Sequence, residues 1–406
     1  MTGKYLFKGC LVFCLFTIAF FITACASSNT TSRKEFKFAQ EEEDFVPKGP
    51  LSFNIIYEFH SIPTFCKEKS FSKPKGKYVY FGDFPQTKKK AGIVINEEIY
   101  INRGRYTYYA GSDGNWYAKC LENAFEPERF QYAYSDGTRV KGRNENNYRY
   151  FKVEPIKWRI LNDISADGQT KAVLLAENIL IENMVWYDYD DIDRFIETED
   201  ERKFEQIYPN NYKHSKVRAY LNGLAYLVTK KKGQPVELNQ EFENSGFLQT
   251  AFDQYAQDLI LISEITNDEE SSKPAEYTEK YFNKTNYYLI DEVLYDKLFL
   301  LSQREACSAE FGFAPHKVFD KDSKNKFFSR GKNASDFALA NYVYAGDSPG
   351  NRNECGWYLR TPIYRDKDYV FDASDIGSVG HQGVDSEYES ILPALAIPVD
   401  VIKGEW

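Results

Sequence analysis

The sequence predicts an α+β fold, built mainly from antiparallel strands with a few short helices. Strand-like segments fill the first part of the chain, helical patterns follow, and strands return near the C-terminus. This order is typical of α+β rather than alternating α/β proteins. The 31 Tyr and 31 Phe residues support the strand content, because aromatic side chains are favoured in strands.

The N-terminus has the pattern of an export signal. Two lysines precede an apolar run from Leu11 to Phe21, which is too short to cross a bilayer comfortably. The Ile-Thr-Ala-Cys sequence that ends at Cys25 resembles the lipobox of bacterial lipoproteins. That resemblance implies cleavage after Ala24, lipidation of Cys25 and membrane anchoring in the bacterial cell envelope, on either the periplasmic or the surface side. An ordinary signal peptide and an uncleaved anchor are the alternatives.

The composition divides the chain into four regions. Residues 1–24 are predicted to be the lipoprotein signal peptide. Residues 25–50 are predicted to be a flexible tether, because they are rich in small polar and acidic residues without an apolar period. Residues 51–76 form an N-terminal extension in which Phe53–Phe59 predicts a strand. Residues 77–402 are predicted to form a single large α+β domain.

Within this domain, aromatic and β-branched runs bounded by turn residues predict the strands. Gly82, Asp83 and Pro85 are expected to end the first strand, and a turn at Asp167 and Gly168 is expected to form a hairpin. The predicted strands are Tyr78–Phe81, Ile93–Ile101, Arg105–Tyr109, Tyr132–Tyr134, Tyr148–Val153, Ile156–Leu161, Ala172–Ala176, Lys297–Leu301, Trp357–Arg360, Tyr369–Ala373 and Leu392–Val399.

Helices are predicted where helical spacing follows a capping residue. Ser215 and Gly223 bracket one helix, Ser302 and Glu305 form a capping box, and Ser335 caps a further helix. The predicted helices are Lys216–Asn222, Phe247–Leu261, Ser302 to about Glu310, and Asp336–Tyr344.

Six short motifs support a family resemblance. They are Tyr80–Gln86 (YFGDFPQ), Glu154–Leu161 (EPIKWRIL), Ser215–Asn222 (SKVRAYLN), Asp296–Ser302 (DKLFLLS), Trp357–Pro362 (WYLRTP) and Pro393–Leu395 (PAL). In this order, over about residues 77–400, they resemble a bacterial domain family of unknown function that is common in exported proteins and lipoproteins. The resemblance implies a domain and no mechanism.

A more distant likeness concerns the fold. A strand followed by a capped helix, then a Trp-Arg strand and a closing apolar strand, is similar in order to formylglycine-generating-enzyme and C-type-lectin-like domains. Leu392 stands where those domains have a closing arginine. The likeness implies a C-type-lectin-like fold and carries no activity over to this chain.

Charge and cysteine content restrict the partners. The formal net charge of −9 argues against nucleic acid, because a phosphate backbone requires a basic face. Outside the signal and the lipidation site, Cys66, Cys120, Cys307 and Cys355 permit three disulfide pairings or four independent thiols. None has the spacing of a zinc site.

One acidic segment is a candidate metal site. Hard cations such as calcium favour clustered carboxylates. The spacing does not match an EF-hand, and a solvated acidic loop is the preferred interpretation. No other cofactor is predicted. The candidate ligands are Asp188, Asp190, Asp191 and Asp193.

Several Trp, Arg and His residues are candidates for ligand binding. Trp and Arg can stack on sugars or clamp carboxylates, although an internal scaffold is the preferred interpretation. A histidine flanked by glycines leaves room for a ligand. Specificity is expected in the insertions 103–143 and 187–212, since loops on a rigid body commonly carry function. The candidates are Trp158, Arg218, Trp357, Arg360 and His381.

The sequence therefore predicts a lipid-anchored envelope protein that binds a glycan or a protein partner. One alternative is an envelope enzyme of formylglycine-generating-like fold that uses Cys307 or Cys355 with His381. Another is a structural assembly protein. No catalytic residue is assigned, because GxSxG, HExxH and phosphate-loop motifs are absent from the sequence.

Overall fold

A long strand, Tyr148–Ile160, organises the main sheet. The computed structural model describes residues 37–42, 44–66, 77–143, 147–166, 168–186, 195–197, 204–228, 236–268, 290–315, 327–346, 353–363 and 366–404. The strands, numbered β1 to β20, are Thr64–Phe65, Tyr78–Lys88, Ile95–Arg103, Tyr106–Gly111, Trp116–Leu121, Tyr148–Ile160, Lys171–Ala176, Phe195–Glu197, Phe204–Gln206, Tyr226–Val228, Glu237–Asn239, Ser263–Asn267, Ile290–Asp296, Leu298–Phe299, Lys332–Asn333, Glu354–Cys355, Trp357–Pro362, Tyr369–Ala373, Val379–Gly383 and Ala394–Pro398.

The main sheet grows outward from β6. This strand pairs antiparallel with β2, β5 and β7. The sheet continues from β5 through β4 to β3, and from β7 through β20 to β14, while β1 pairs with β2. Strands β17, β18 and β19 form a separate antiparallel sheet. The described strands pair antiparallel throughout, which confirms the predicted α+β class with mainly antiparallel strands.

The helices are short and are started by the predicted caps. The Ser215 hydroxyl accepts a hydrogen bond from the Arg218 N–H, and Gly223 ends the same helix at φ 67°. The capping box of Ser302 and Glu305 is present, and Ser335 caps the last helix. In chain order, α1 to α6 are Pro127–Phe130, Lys216–Asn222, Phe247–Ala251, Gln254–Leu259, Gln303–Ala306 and Asp336–Ala340.

The N-terminal extension packs on a second, smaller apolar cluster. Alternate residues of the extension, Phe53, Ile55, Tyr57 and Phe59, contact a cluster that contains Trp116 of β5. The predicted strand over Phe53–Phe59 is wrong. Only two of its backbone N–H groups, those of residues 56 and 57, bond to the carbonyl of residue 114, so no ladder forms.

Several predicted strand ends are wrong because bulges absorb the disrupting residues. β2 continues past Gly82 and Pro85 to Lys88, and its pairing with β6 shifts register at both places. Gly82 has φ 71°, which suits a bulge. The two strands predicted at 148–153 and 156–161 are one strand, β6. The segment Tyr132–Tyr134 is no strand and contributes one isolated bridge.

The helix predicted over Phe247–Leu261 is two helices. Phe252 has extended backbone angles, and the Asp253 side chain then caps α4 by accepting from the Ala256 N–H. The helices predicted to reach Glu310 and Tyr344 end earlier, with α5 and α6.

Residues 38–404 belong to one compact unit as far as they are described. Cys66, Cys120, Cys307 and Cys355 are thiols and not disulfides, which agrees with the independent-thiol alternative. No described helix combines the length and the apolar character that a membrane span requires.

Candidate functional site

A pocket of about 230 Å³ lies where six separate parts of the chain meet. Arg105 comes from the turn between β3 and β4, and Lys216 begins α2. Glu182 and Tyr342 come from connecting segments. The full lining is Arg105, Glu182, Asn183, Met184, Val185, Lys216, Glu241, Phe242, Tyr342 and Glu387.

The pocket presents both signs of charge. Burial raises the pKa of Glu182, and the positive charges of Arg105 and Lys216 oppose that rise. The Arg105 guanidinium lies 3.6 Å from a carboxylate oxygen of Glu241 and 5.1 Å from the ring centre of Phe242. Charged donors and acceptors therefore converge on one concave surface.

Hydrogen bonds to neighbouring residues hold two polar side chains of the pocket lining in place. The Asn183 amide donates to the Glu387 carbonyl at 2.5 Å and accepts from the Ser390 hydroxyl at 3.0 Å. The Tyr226 hydroxyl donates to Glu241 at 3.1 Å. These bonds fix the side chains before any ligand arrives, which reduces the ordering cost of binding.

An aromatic cluster adjoins the pocket through Tyr342. The Tyr342 hydroxyl donates to Glu387 at 3.1 Å, and its ring packs edge-on against Phe125 with centres 5.1 Å apart. Phe125 also contacts Tyr388, which is 42% exposed. Tyr342 has φ 61°, a strained conformation for a bulky residue that is found preferentially at functional sites.

The Trp and Arg candidates from the sequence are buried, except Arg218, whose side chain is 16% exposed. The buried indoles of Trp158 and Trp357 donate to backbone carbonyls, each at 2.7 Å. Arg218 makes a forked ion pair with Asp296. The guanidinium of Arg360, 3% exposed, donates to Glu305 and to a backbone carbonyl. These contacts match the scaffold interpretation, and the structure places none of the four in the lining of the 230 Å³ pocket.

The remaining candidates also lie elsewhere. His381 is exposed on β19, with its ring 5.6 Å from that of Tyr369. Burial raises the pKa of the Cys355 thiol, which disfavours the nucleophilic thiolate. Among the described residues, no His, Cys, Asp and Glu group is arranged to hold a metal ion. The four aspartates proposed for calcium, Asp188, Asp190, Asp191 and Asp193, lie outside the described residues, as does Cys25.

Sequence patterns predicted little of the pocket. They indicated specificity in the insertions 103–143 and 187–212, of which the first contains Arg105 and Phe125. Nothing in local sequence marked Glu182 or Tyr342. Their significance depends on burial, backbone angle and distant neighbours.

A sequence-profile comparison matches residues 169–399 to a family described as a domain of unknown function, DUF6273. The chain belongs to this family. The match includes most of the pocket lining, although Arg105 lies outside it. No curated protein and no solved structure matches the chain.

Proposed function

We propose that this DUF6273 protein is a binding protein and that it binds a glycan in the pocket lined by Arg105, Glu182 and Tyr342. The main support for this proposal is that aromatic side chains and charged hydrogen-bonding groups lie together at one concave site. A sugar ring has an apolar face and a rim of hydroxyl groups. Tyrosines suit such ligands because they are apolar with a hydrogen-bonding end.

The lining also limits the kind of sugar. Arg105 and Lys216 offer donors to a sugar carboxylate, while Glu182 and Glu387 accept from hydroxyl or ammonium groups. A charged sugar, either acidic or amino-substituted, would engage both sets. The pocket volume of about 230 Å³ fits a small portion of a glycan, not a long chain.

The proposal includes attachment to the bacterial envelope through lipid on Cys25. Its support is the apolar run followed by Ile-Thr-Ala-Cys. Two or more acyl chains give durable membrane attachment. Metabolic labelling with radioactive palmitate tests this part: the wild-type chain should be labelled and Cys25→Ser should not. Equal labelling of both would contradict lipidation at Cys25.

A glycan array with the full chain, in calcium and again in a chelator, tests the binding proposal. Binding that survives chelation and is lost in Glu182→Gln would support the pocket. Binding that requires calcium would indicate that the site is the acidic segment 188–193 and not the pocket. Absence of binding in both buffers would overturn the glycan proposal and favour a protein partner.

A further inference from the structure

A second cavity, of about 610 Å³, lies between residues 39–42 and 44 on one side and a basic surface of the main sheet on the other. Three cations converge there on one carboxylate. The oxygens of Glu41 lie 2.6 Å from the Arg149 guanidinium, 3.0 Å from the Lys141 ammonium and 3.9 Å from that of Lys88. We call these three cations and Lys89 the basic cleft.

Two cations of the basic cleft are held by residues other than Glu41. Arg149 also donates at 3.2 Å to the fully buried Glu122, which accepts at 2.7 Å from the Tyr134 hydroxyl. The Lys88 ammonium donates at 2.5 Å to Thr138 and lies 5.0 Å from the ring centre of Tyr134. Arg149 and Lys88 thus keep their positions through partners other than Glu41, and Lys88 also pairs with Asp136 at 3.0 Å.

The segment that supplies the carboxylate is held mainly by charge. Its Ala39 N–H donates to the Gly137 carbonyl at 2.8 Å, and Asp44, whose side chain is 69% exposed, pairs with Lys89 at 2.8 Å. Exposed ion pairs of this kind are individually weak and are screened by salt. The adjoining Phe45 is 62% exposed and so anchors the segment little.

Glu41 behaves as a bound anion in this cleft. Its burial alone would raise its pKa, but the hydrogen bond from Lys141 and the charge of Arg149 lower the pKa below the ordinary value. The carboxylate is therefore held ionised. In a chain with net charge −9, such convergence of cations on one anion is a local feature and not a consequence of overall composition.

We propose that the basic cleft binds an acidic polypeptide segment of a partner protein and that Glu41 and Asp44 are internal stand-ins for the carboxylates of that segment. The chain between these two residues spans at most about 10 Å, because they are three residues apart. A partner segment with carboxylates at the same spacing would meet both contact points. The basic cleft shares no lining residue with the 230 Å³ pocket, so this proposal does not depend on the first.

Binding of poly-L-glutamate to the full chain at low salt tests the proposal, and binding of polygalacturonate in its place would overturn it. Glu41→Gln removes the internal competitor and should raise the affinity by about fivefold. Glu128→Gln is the matched control, because Glu128 is 83% exposed and pairs with Arg139 outside the cleft lining. It should leave the affinity unchanged although it alters the net charge equally.

The cleft itself is tested with Lys141→Gln, a change at a side chain that is 51% exposed and whose replacement should not disturb folding. Affinity should fall about fivefold, whereas Lys171→Gln, at an exposed position of β7 that is no part of the basic cleft, should have no effect. Methyl-esterified polymer should not bind. Equal effects of the cleft and control variants, binding of the esterified polymer, or no binding by wild type and Glu41→Gln would each overturn the proposal. Binding that persists in Glu182→Gln would show that this site is not the 230 Å³ pocket.

Discussion

Two buried carboxyl groups make the stability of this protein depend on pH. Asp372 and Glu389 are 4% and 5% exposed. Among the described residues, one oxygen of each has no hydrogen-bond partner. Burial raises the pKa of Asp372 to about 7, and the charge of Asp375 adds to the rise. Burial and the charge of Asp372 likewise raise the pKa of Glu389.

The sign follows from proton binding. The ordinary pKa of an aspartate is 3.8, so the folded state binds more protons than the unfolded state between pH 3.8 and 7. The contribution of Asp372 to the free energy of unfolding is therefore fully present below pH 3.8 and is lost as the pH rises to 7. The loss is about 4 kcal/mol at most. Because Asn carries no charge, Asp372→Asn should be more stable than wild type at pH 8 by up to that amount.

Urea unfolding between pH 4.5 and 8.5 measures the effect. The free energy of unfolding of wild type should fall steeply as the pH rises over this range. That of Asp372→Asn should fall less, and the decrease that remains comes from Glu389. Asp400→Asn, at an exposed position, should follow wild type. If the free energies of unfolding of Asp372→Asn and wild type fall equally between pH 5 and pH 8, burial does not raise the pKa of Asp372.

Three further changes test the scaffold by urea denaturation. Arg360→Leu leaves the partly buried Glu305, whose side chain is 29% exposed, without its ion-pair partner and should cost about 1–3 kcal/mol; a smaller cost, like that of an exposed pair, would contradict the internal role. Ser215→Ala removes the N-cap of α2 and should cost about 1 kcal/mol, whereas an unchanged midpoint would count against the cap. Gly82→Ala forces a left-handed backbone angle and places a Cβ 2.5 Å from an aromatic ring. It should destabilise by more than about 1 kcal/mol, and a neutral result would show that β2 has no strained bulge.

The sequence predicted the helix starts well because a cap is a local signal. Ser215, Ser302 and Ser335 each place a hydroxyl where the first free N–H groups of a helix need an acceptor. The break at Phe252 was missed, although Asp253 carried the same signal. The continuous apolar spacing from 247 to 261 obscured it.

Strand limits were harder to predict because they depend on the partner strand. Gly82 and Pro85 normally end a strand, but here β6 supplies a partner on which the disrupting residues form bulges. Likewise Phe53–Phe59 has a strand's alternation without a neighbouring strand edge. Local sequence does not reveal whether a partner is present.

The candidate site was predicted least, since it is assembled from distant segments. Arg105 and Glu182 approach each other across the fold, and the pKa of Glu182 is raised by burial that only the folded structure produces. The strained backbone of Tyr342 arises where α6 ends earlier than its pattern predicted. The motif residues Trp158 and Arg360 were recognisable because they hold the scaffold together.

Glycan binding by the 230 Å³ pocket is tested by the affinity of the full chain for a glycan identified on the array, compared among pocket variants. Glu182→Gln and Tyr342→Ala, both at residues of the pocket lining, should each weaken binding by about tenfold, or 1.4 kcal/mol. Tyr255→Ala, a change to a tyrosine that is 58% exposed and outside the pocket lining, should leave the affinity unchanged. Equal affinities for wild type and both pocket variants would contradict the assignment of glycan binding to this pocket.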